Sequence, residues 1–446
     1  MRAFIAAIVI GFSPLCAIAA TADGNTDPLA PTEIHDRIRR HRTTDATLTF
    51  LRADGTPLAN TPVTIRQSRH HFLFGSNAFN INPSDDSQLQ NAYRQRFADL
   101  LNYATLPFYW GSYERAEGQP GSARVSSMAQ WCADHDILTK GHPLVWQQLA
   151  PRWLADKPLD EIHRLQLARV TRDVTAFRTL INRWDVVNES VAMPTYKGES
   201  TPIPALASKV GRVELIKQAF AAARKANPDA ILILNDYDTS PAFENVIEEC
   251  LAAAVPIDVI GIQSHMHAGY WGREKTWDVL TRFSRFNKPL HFTELTVLSA
   301  DGRKNQRWNG PPYTDWHTTP EGEARQAEQV KEFYTILFSH PAVHAVTWWD
   351  FSDHRAWLGA PSGLLRKDMS PKPAYAALHD LVKNQWRTHE QTLTTDARGQ
   401  LTLRAYLGDY TLATPTTTAS FTLNQPGPSS QTLTPTSPNP KPGERR

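Results

Sequence analysis

Eight short apolar runs, separated by stretches of helical periodicity, constrain this chain more than any other feature. They cover residues 71–77, 103–110, 138–146, 183–189, 230–237, 258–267, 289–295 and 345–351. None alternates strictly between apolar and polar, which suits parallel strands buried on both faces. Between them the pattern changes period. Leu159, Ile162, Leu165, Val170, Val174, Phe177 and Leu180 recur at three-to-five spacing before the fourth run. Val213, Ile216, Phe220 and Ala223 do so before the fifth, and Asn227-Pro228 stops that helix. Strands that alternate with helices imply a parallel sheet. Eight such units predict a (β/α)8 TIM barrel over residues 71–385, an α/β fold, with an open doubly wound sheet as the alternative.

The flanks differ. Residues 44–70 alternate in strand fashion around Asp54-Gly55, and residues 390–424 do so around Arg398-Gly399 and Gly408-Asp409. Neither is long enough to be stable alone, so the two are expected to pair into a small β-sandwich beside the barrel. Residues 425–446 are rich in Pro, Ser and Thr without apolar periodicity, the composition of a disordered tail.

At the other end, Arg2, an apolar run from Ala3 to Phe12 and the small residues Ala17-Ile18-Ala19 read as a signal peptide over residues 1–19. The run is too short for a membrane span, and Leu15 before Cys16 fits a lipoprotein site poorly. Export is expected, secreted or periplasmic. Cys132 and Cys250 lie in helix-like, partly apolar contexts and are expected to be free thiols, so the fold is not disulfide-built. A formal net charge of +2 over 446 residues points to neither nucleic acid nor an anionic membrane as partner.

In a barrel the carboxyl ends of the strands carry the chemistry. The residues predicted there are Asn77, Trp110, His142, Trp146, Asn188, Glu189, Asp236, Tyr237, Gln263, His265, Glu294, Trp349 and Asp353. Glu189 and Glu294 stand out. Each ends an apolar strand, the fourth and the seventh, which face each other across a barrel mouth. A glycosidic bond needs an acid for the leaving oxygen and a carboxylate on the other face of the sugar. When the two lie roughly 5–5.5 Å apart, the second attacks and configuration is retained. Either Glu alone would more often be a loop carboxylate or an ion pair; the pair in this setting points to glycoside cleavage.

Six segments carry a family resemblance: Trp184-Asp185-Val186-Val187-Asn188-Glu189, Gly141-His142-Pro143-Leu144-Val145-Trp146, Asn235-Asp236-Tyr237, Gly261-Ile262-Gln263-Ser264-His265, Phe292-Thr293-Glu294-Leu295, and Trp349 with Trp357. Over residues 71–380 the chain resembles glycoside hydrolase family 10, the retaining endo-β-1,4-xylanases. The resemblance implies Glu189 as general acid/base and Glu294 as nucleophile. It implies Asn188 at the sugar 2-hydroxyl and His142, Trp146, Trp349 and Trp357 around the sugar at the cleavage point. Gln263 and His265 would bond the sugar and the nucleophile, and Tyr237 would lie on the leaving-group side. No cofactor or metal is implied. The partner would be a polysaccharide or oligosaccharide, met by a monomer.

The chain also departs from that pattern. Where the family carries Glu-Asn-Glu-Met-Lys-Trp, residues 105–110 read Thr-Leu-Pro-Phe-Tyr-Trp, so Leu106 and Tyr109 replace an Asn and a Lys that would bond xylose. Gln147 stands for a His, Leu149 for a Gln, and Thr296 for an Asp that braces the histidine. These changes leave both carboxylates and rewrite the glycone wall, so specificity is expected to differ: a branched xylan, another β-glycan or a glycosylated small molecule. The long loop 298–319, with Trp308, Tyr313 and Trp316, reads as a lid or sugar platform. Two rival readings remain. His265-Met266-His267 with His142 could hold a metal, and an altered wall could serve a non-catalytic carbohydrate-binding protein.

Overall fold

The structure, a computed structural model, describes residues 27–198, 201–303 and 310–436. The segment read as a signal peptide, together with Cys16 and Trp308, lies outside them.

Eight parallel strands close into a barrel. In chain order they are Leu73–Asn77, Tyr103–Pro107, Leu138–His142, Arg183–Asn188, Ile231–Asp236, Val259–Ile262, Leu290–Leu295 and Val343–Trp348. The first pairs with the eighth, for example Phe74 beside Val346, and this closes the ring. Helices such as Leu159–Phe177, Arg212–Ala226 and Pro320–Ser339 turn their apolar stripes onto it. Strand and helix side chains merge in one core that includes Phe97, Trp184, Phe220, Phe292 and Phe338.

Several strands are shorter than the apolar runs predict, for local reasons. The run 138–146 breaks at Pro143, which has no N–H to give the ladder. Pairing resumes when Leu144 and Val145 donate to the carbonyls of Asp185 and Val186. The run 258–267 stops at Ile262, because Ser264 takes a left-handed conformation, φ 59°. The run 103–110 ends at Pro107, and Trp110–Tyr113 make a single helical turn.

The flanking segments pair as two facing sheets. In one, Thr43–Phe50 lies between Gln400–Tyr406, antiparallel, and Gly427–Leu433, parallel. In the other the order is Gln391–Thr394, Pro62–His70, Gly408–Ala413, Thr418–Leu423. Leu48 and Phe50 from the first sheet meet Val63, Ile65, Tyr410 and Leu412 from the second in a separate core. One expectation is corrected here. Residues Gly427–Leu433 are a strand and not a disordered tail. Its backbone is held by Thr43–Phe50, so it needs no apolar alternation, and Leu433 alone packs on the sandwich core. Residues 437–446 lie outside the described part. Helix Pro31–Arg42 leaves little trace in the sequence because seven of its twelve side chains are Arg, His or Asp. It ties sandwich to barrel. Arg42 is buried and donates to the carbonyls of Phe338, His340 and Val343, 2.6, 2.5 and 2.8 Å away.

Candidate active site

The fourth and seventh strands deliver Glu189 and Glu294 to the barrel mouth. Glu189 follows Asn188 at φ 57°. That left-handed conformation is uncommon for a residue with a side chain and clusters at functional sites. It is held from two directions. The Glu189 N–H donates to the Asn235 carbonyl at 2.8 Å. In the next turn Ser190 Oγ and the Val191 N–H donate to the buried Asp236 carboxylate at 3.1 and 3.0 Å. Glu294 stays inside its strand, with its N–H on the Gln263 carbonyl at 3.0 Å.

A chain of amides joins the two carboxylates. Asn235 Nδ2 donates to Glu294 Oε1 and to Asn188 Oδ1, both at 2.8 Å. Gln263 Nε2 reaches Asn188 Oδ1 at 3.2 Å and Glu189 Oε1 at 3.4 Å. Thr293 Oγ1 donates to Asn235 Oδ1 at 2.6 Å, which fixes which way that amide points. Space for it is made by Gly261, where an added Cβ would lie 2.3 Å from Asn235 Oδ1. Gly141 plays the matching part beside the Trp184 ring, 2.2 Å from an added Cβ. Both glycines of the sequence motifs are thus explained by close approach.

The two carboxylates sit in opposite electrostatic settings. Burial raises the Glu189 pKa and the charge of Glu294 adds to it, against contacts from Trp146, Gln263 and Gln147. The Gln147 amide is the closest of these, Nε2 to Oε2 at 2.7 Å. Trp146 Nε1 makes no hydrogen bond of full geometry, yet it stands near enough to favour the charged form. Burial acts on Glu294 too, but His142, His265 and Lys140 outweigh it and hold its pKa below the ordinary carboxylate value. His265 Nε2 lies 3.1 Å from Glu294 Oε2, and His142 Nε2 lies 3.9 Å from Oε1. Behind them Asp185 takes His142 Nδ1 at 2.7 Å and Lys140 Nζ at 2.6 Å. A carboxyl that favours its proton beside one that favours its charge is the division of labour that acid and nucleophile need.

Aromatic rings wall the mouth. Trp349 meets the edges of His142 and His265, and Trp357 leans on His265, with centroids 5.5, 5.7 and 4.8 Å apart. Trp146 packs on Tyr109 at 5.4 Å. Tyr237 stands on the Glu189 side and is 50% exposed, unlike the rest of the wall. The described part of the 298–319 loop braces the Trp357 turn. Tyr313 N–H donates to the Leu358 carbonyl at 2.8 Å, and Trp316 packs with Leu358 and Ala360. Arg303 lies over both loop rings, 4.5 Å from Tyr313 and 5.0 Å from Trp316.

The structure therefore gathers Glu189, Glu294, His142, Trp146, Asn188, Tyr237, Gln263, His265, Trp349 and Trp357 in one mouth. It sends other candidates elsewhere. Asp353 forms a buried ion pair with Lys372 at 2.7 Å. The Trp110 indole donates to Glu114 at 3.0 Å, and Leu106 is fully buried in the main core. Thr296 does not brace His265; its Oγ1 accepts the Met266 N–H at 2.8 Å and lies 3.4 Å from His267 Nδ1. The His265 and His267 rings lie 5.5 Å apart, and no group of three metal-ligating side chains that could hold an ion occurs among the described residues. Sequence reasoning missed Asn235, Lys140 and Asp185 as members of the site, and had Gln147 only as a departure from the family pattern. Asn235 had a signal, since it opens the Asn-Asp-Tyr motif two positions before Tyr237. Lys140 and Asp185 are charges buried inside strands whose apolar runs suggest only core.

A closed parallel barrel with two buried, oppositely tuned carboxylates at the carboxyl ends of its strands is the architecture of a barrel glycosidase. Residues 68–381 match glycosyl hydrolase family 10, and the chain belongs to that family. Among curated relatives it is 27% identical over 318 residues to the endo-1,4-β-xylanase/feruloyl esterase of Xylanibacter ruminicola, covering 65% of this chain and 42% of that protein. It is 28% identical over 270 residues to endo-1,4-β-xylanase B of Thermotoga neapolitana, covering 57% and 72%. The fold is that of xylanase 10B from Thermotoga petrophila, solved in complex with xylobiose: TM-score 0.59, 24% identity, 71% of this chain and 95% of that one.

Proposed function

We propose that the protein is an exported retaining β-glycoside hydrolase acting on a β-1,4-linked, xylan-type glycan. The observation that carries this is the opposed pair, Glu189 biased toward its proton and Glu294 toward its charge, joined through Asn235, Asn188 and Gln263. Family membership and relatives named as xylanases support the substrate class.

In the first step Glu294 Oε attacks the anomeric carbon. The bond to the leaving oxygen breaks, and Glu189 gives that oxygen its proton. The product is a glycosyl ester of Glu294 and a free sugar hydroxyl. Loss of charge on Glu294 lowers the proton affinity of Glu189, which then takes a proton from water. The water oxygen bonds the anomeric carbon, the ester breaks, and Glu294 regains its charge. Two inversions give net retention. Asn188, oriented by Asn235 and Gln263, stands beside Glu189 and is joined to Glu294 through Asn235, the place the family resemblance gives to a 2-hydroxyl contact. His265 and His142 keep the nucleophile charged.

The deciding experiment is hydrolysis of β-glycans and aryl β-glycosides, with the anomer formed first read by NMR. A β-product is expected, and an α-product would sink the retaining mechanism. Export rests on the leader-like residues 1–19, and a tagged full chain should appear in the periplasm or medium of a bacterial host.

A further inference from the structure

The glycone side of the mouth carries a feature that the proposed reaction does not require. Phe79, in the turn after the first barrel strand, and Tyr109, just before Trp110–Tyr113, complete a closed ring of aromatic contacts with His142 and Trp349. Phe79 meets Tyr109 at 5.7 Å and 86°, and Tyr109 meets His142 at 5.4 Å and 81°. His142 meets Trp349 at 5.5 Å and 78°, and Trp349 returns to Phe79 at 5.4 Å and 81°. Every contact is edge to face. Rings at these separations are in van der Waals contact, so no pyranose passes between any two of them.

The position of this pinwheel relative to the carboxylates sets its meaning. His142 is 3.9 Å from Glu294, so the ring stands directly behind the sugar that Glu294 would attack. Glu189 and the half-exposed Tyr237 are joined through Asp236, which takes Ser190 and Val191, and the family resemblance puts the leaving group on that side. The pinwheel also offers little to a second sugar. Its polar atoms are His142 Nδ1, bonded to Asp185; His142 Nε2, which lies 3.9 Å from Glu294 and so faces the reacting centre; the Trp349 indole N–H; and the Tyr109 hydroxyl. The Tyr109 ring lies 5.4 Å from both His142 and Trp146, so it borders the reacting centre. Hydroxyls of a further glycone sugar would meet ring edges and stay unpaired, and burying a polar group without a partner is unfavourable.

We propose that Phe79 and Tyr109 close the glycone cleft after one sugar, so that the enzyme removes single residues from the non-reducing end of a β-linked chain or glycoside. This deepens the hydrolase reading above and rests on it. The bond that breaks joins the terminal sugar to the rest of the substrate; water supplies the hydroxyl of the released monosaccharide and the proton of the leaving oxygen.

The test is a time course with β-1,4-xylohexaose labelled at its reducing end, with an aryl β-xyloside alongside. The wild-type protein should release xylose and labelled pentaose as its first products. Phe79→Ala, and the double variant Phe79→Ala/Tyr109→Ala, should open the cleft and raise the share of xylobiose among first products at least 5-fold. First products of two or more sugars from the wild type would overturn chain-end action alone, whatever the variants do. No hydrolysis of any glycoside would overturn the hydrolase reading and this one with it. If either alanine variant fails to fold, the wild-type product pattern still decides.

Discussion

Asn235 donates through one amide nitrogen to Glu294 Oε1, 2.8 Å away, and thereby couples the nucleophile to a network ending on Glu189. Its own orientation is set by Thr293 below and by the missing side chain of Gly261 beside it. Asn235 is thus a positioning residue for both carboxylates, although no reacting bond need touch it.

Replacing it isolates that role. Asn235→Ala should lower kcat by about 100-fold or more, the usual loss when a buried donor at a charged reacting centre is removed. Gly261→Ala should mimic it from outside the network, since its Cβ would displace the Asn235 amide. Steady-state kinetics with circular dichroism as a folding control checks both. A Gly261→Ala enzyme with full kcat would show that the amide chain does not matter.

The opposed pKa directions predict a bell-shaped pH profile. Glu294 must be charged, and its lowered pKa sets the acid limb; Glu189 must be protonated, and its raised pKa sets the alkaline limb. Glu189→Gln should abolish turnover of glycosides with poor leaving groups. It should also remove the alkaline limb for the first step on an activated aryl glycoside, which departs without a proton. A surviving alkaline limb in burst-phase measurements would assign it to another group.

Asp236 makes the fold itself sensitive to pH. Burial lifts its pKa from 3.8 to about 7, against hydrogen bonds from Val191 and Asp238. The folded protein then keeps a proton that the unfolded chain releases between those values. Stability from this group is complete below the unfolded value and falls as pH rises toward about 7. Asp236→Asn cannot ionise and should show a shallower decline. Urea midpoints at several pH values measure this, and parallel curves for the two proteins would rule it out.

Trp316 supports a wall it does not form. Trp316→Ala removes the packing under Leu358 and Ala360 that holds the Trp357 turn. It should raise KM roughly 10-fold with a smaller change in kcat, as expected when a binding wall rather than a reacting group is displaced. A kcat that falls while KM holds would place Trp316 in a different role.

The barrel was legible because its strands are buried on both faces, which leaves eight apolar runs that no other architecture explains as simply. Glu189, Glu294 and their walls followed, since strand ends in a barrel share one mouth. Strand limits were less legible: Pro143 and the left-handed Ser264 cut pairing where hydrophobicity continues. Residues Gly427–Leu433 were misjudged because a strand held by backbone bonds on a sandwich edge leaves little hydrophobic trace. Lys140 and Asp185 were invisible for the converse reason, being charges buried in strands where composition suggests only core.

The sandwich has a consequence for how the molecule is made. Its first strand, Thr43–Phe50, finds both of its neighbours more than 350 residues later in the chain. A ribosome delivers the whole barrel before either neighbour emerges. Contacts so distant in sequence form slowly, so the barrel must mature while an unpaired strand waits at its amino-terminal side. Helix Pro31–Arg42 holds that strand against the barrel through Arg42, and so shortens the search that the late strands must make.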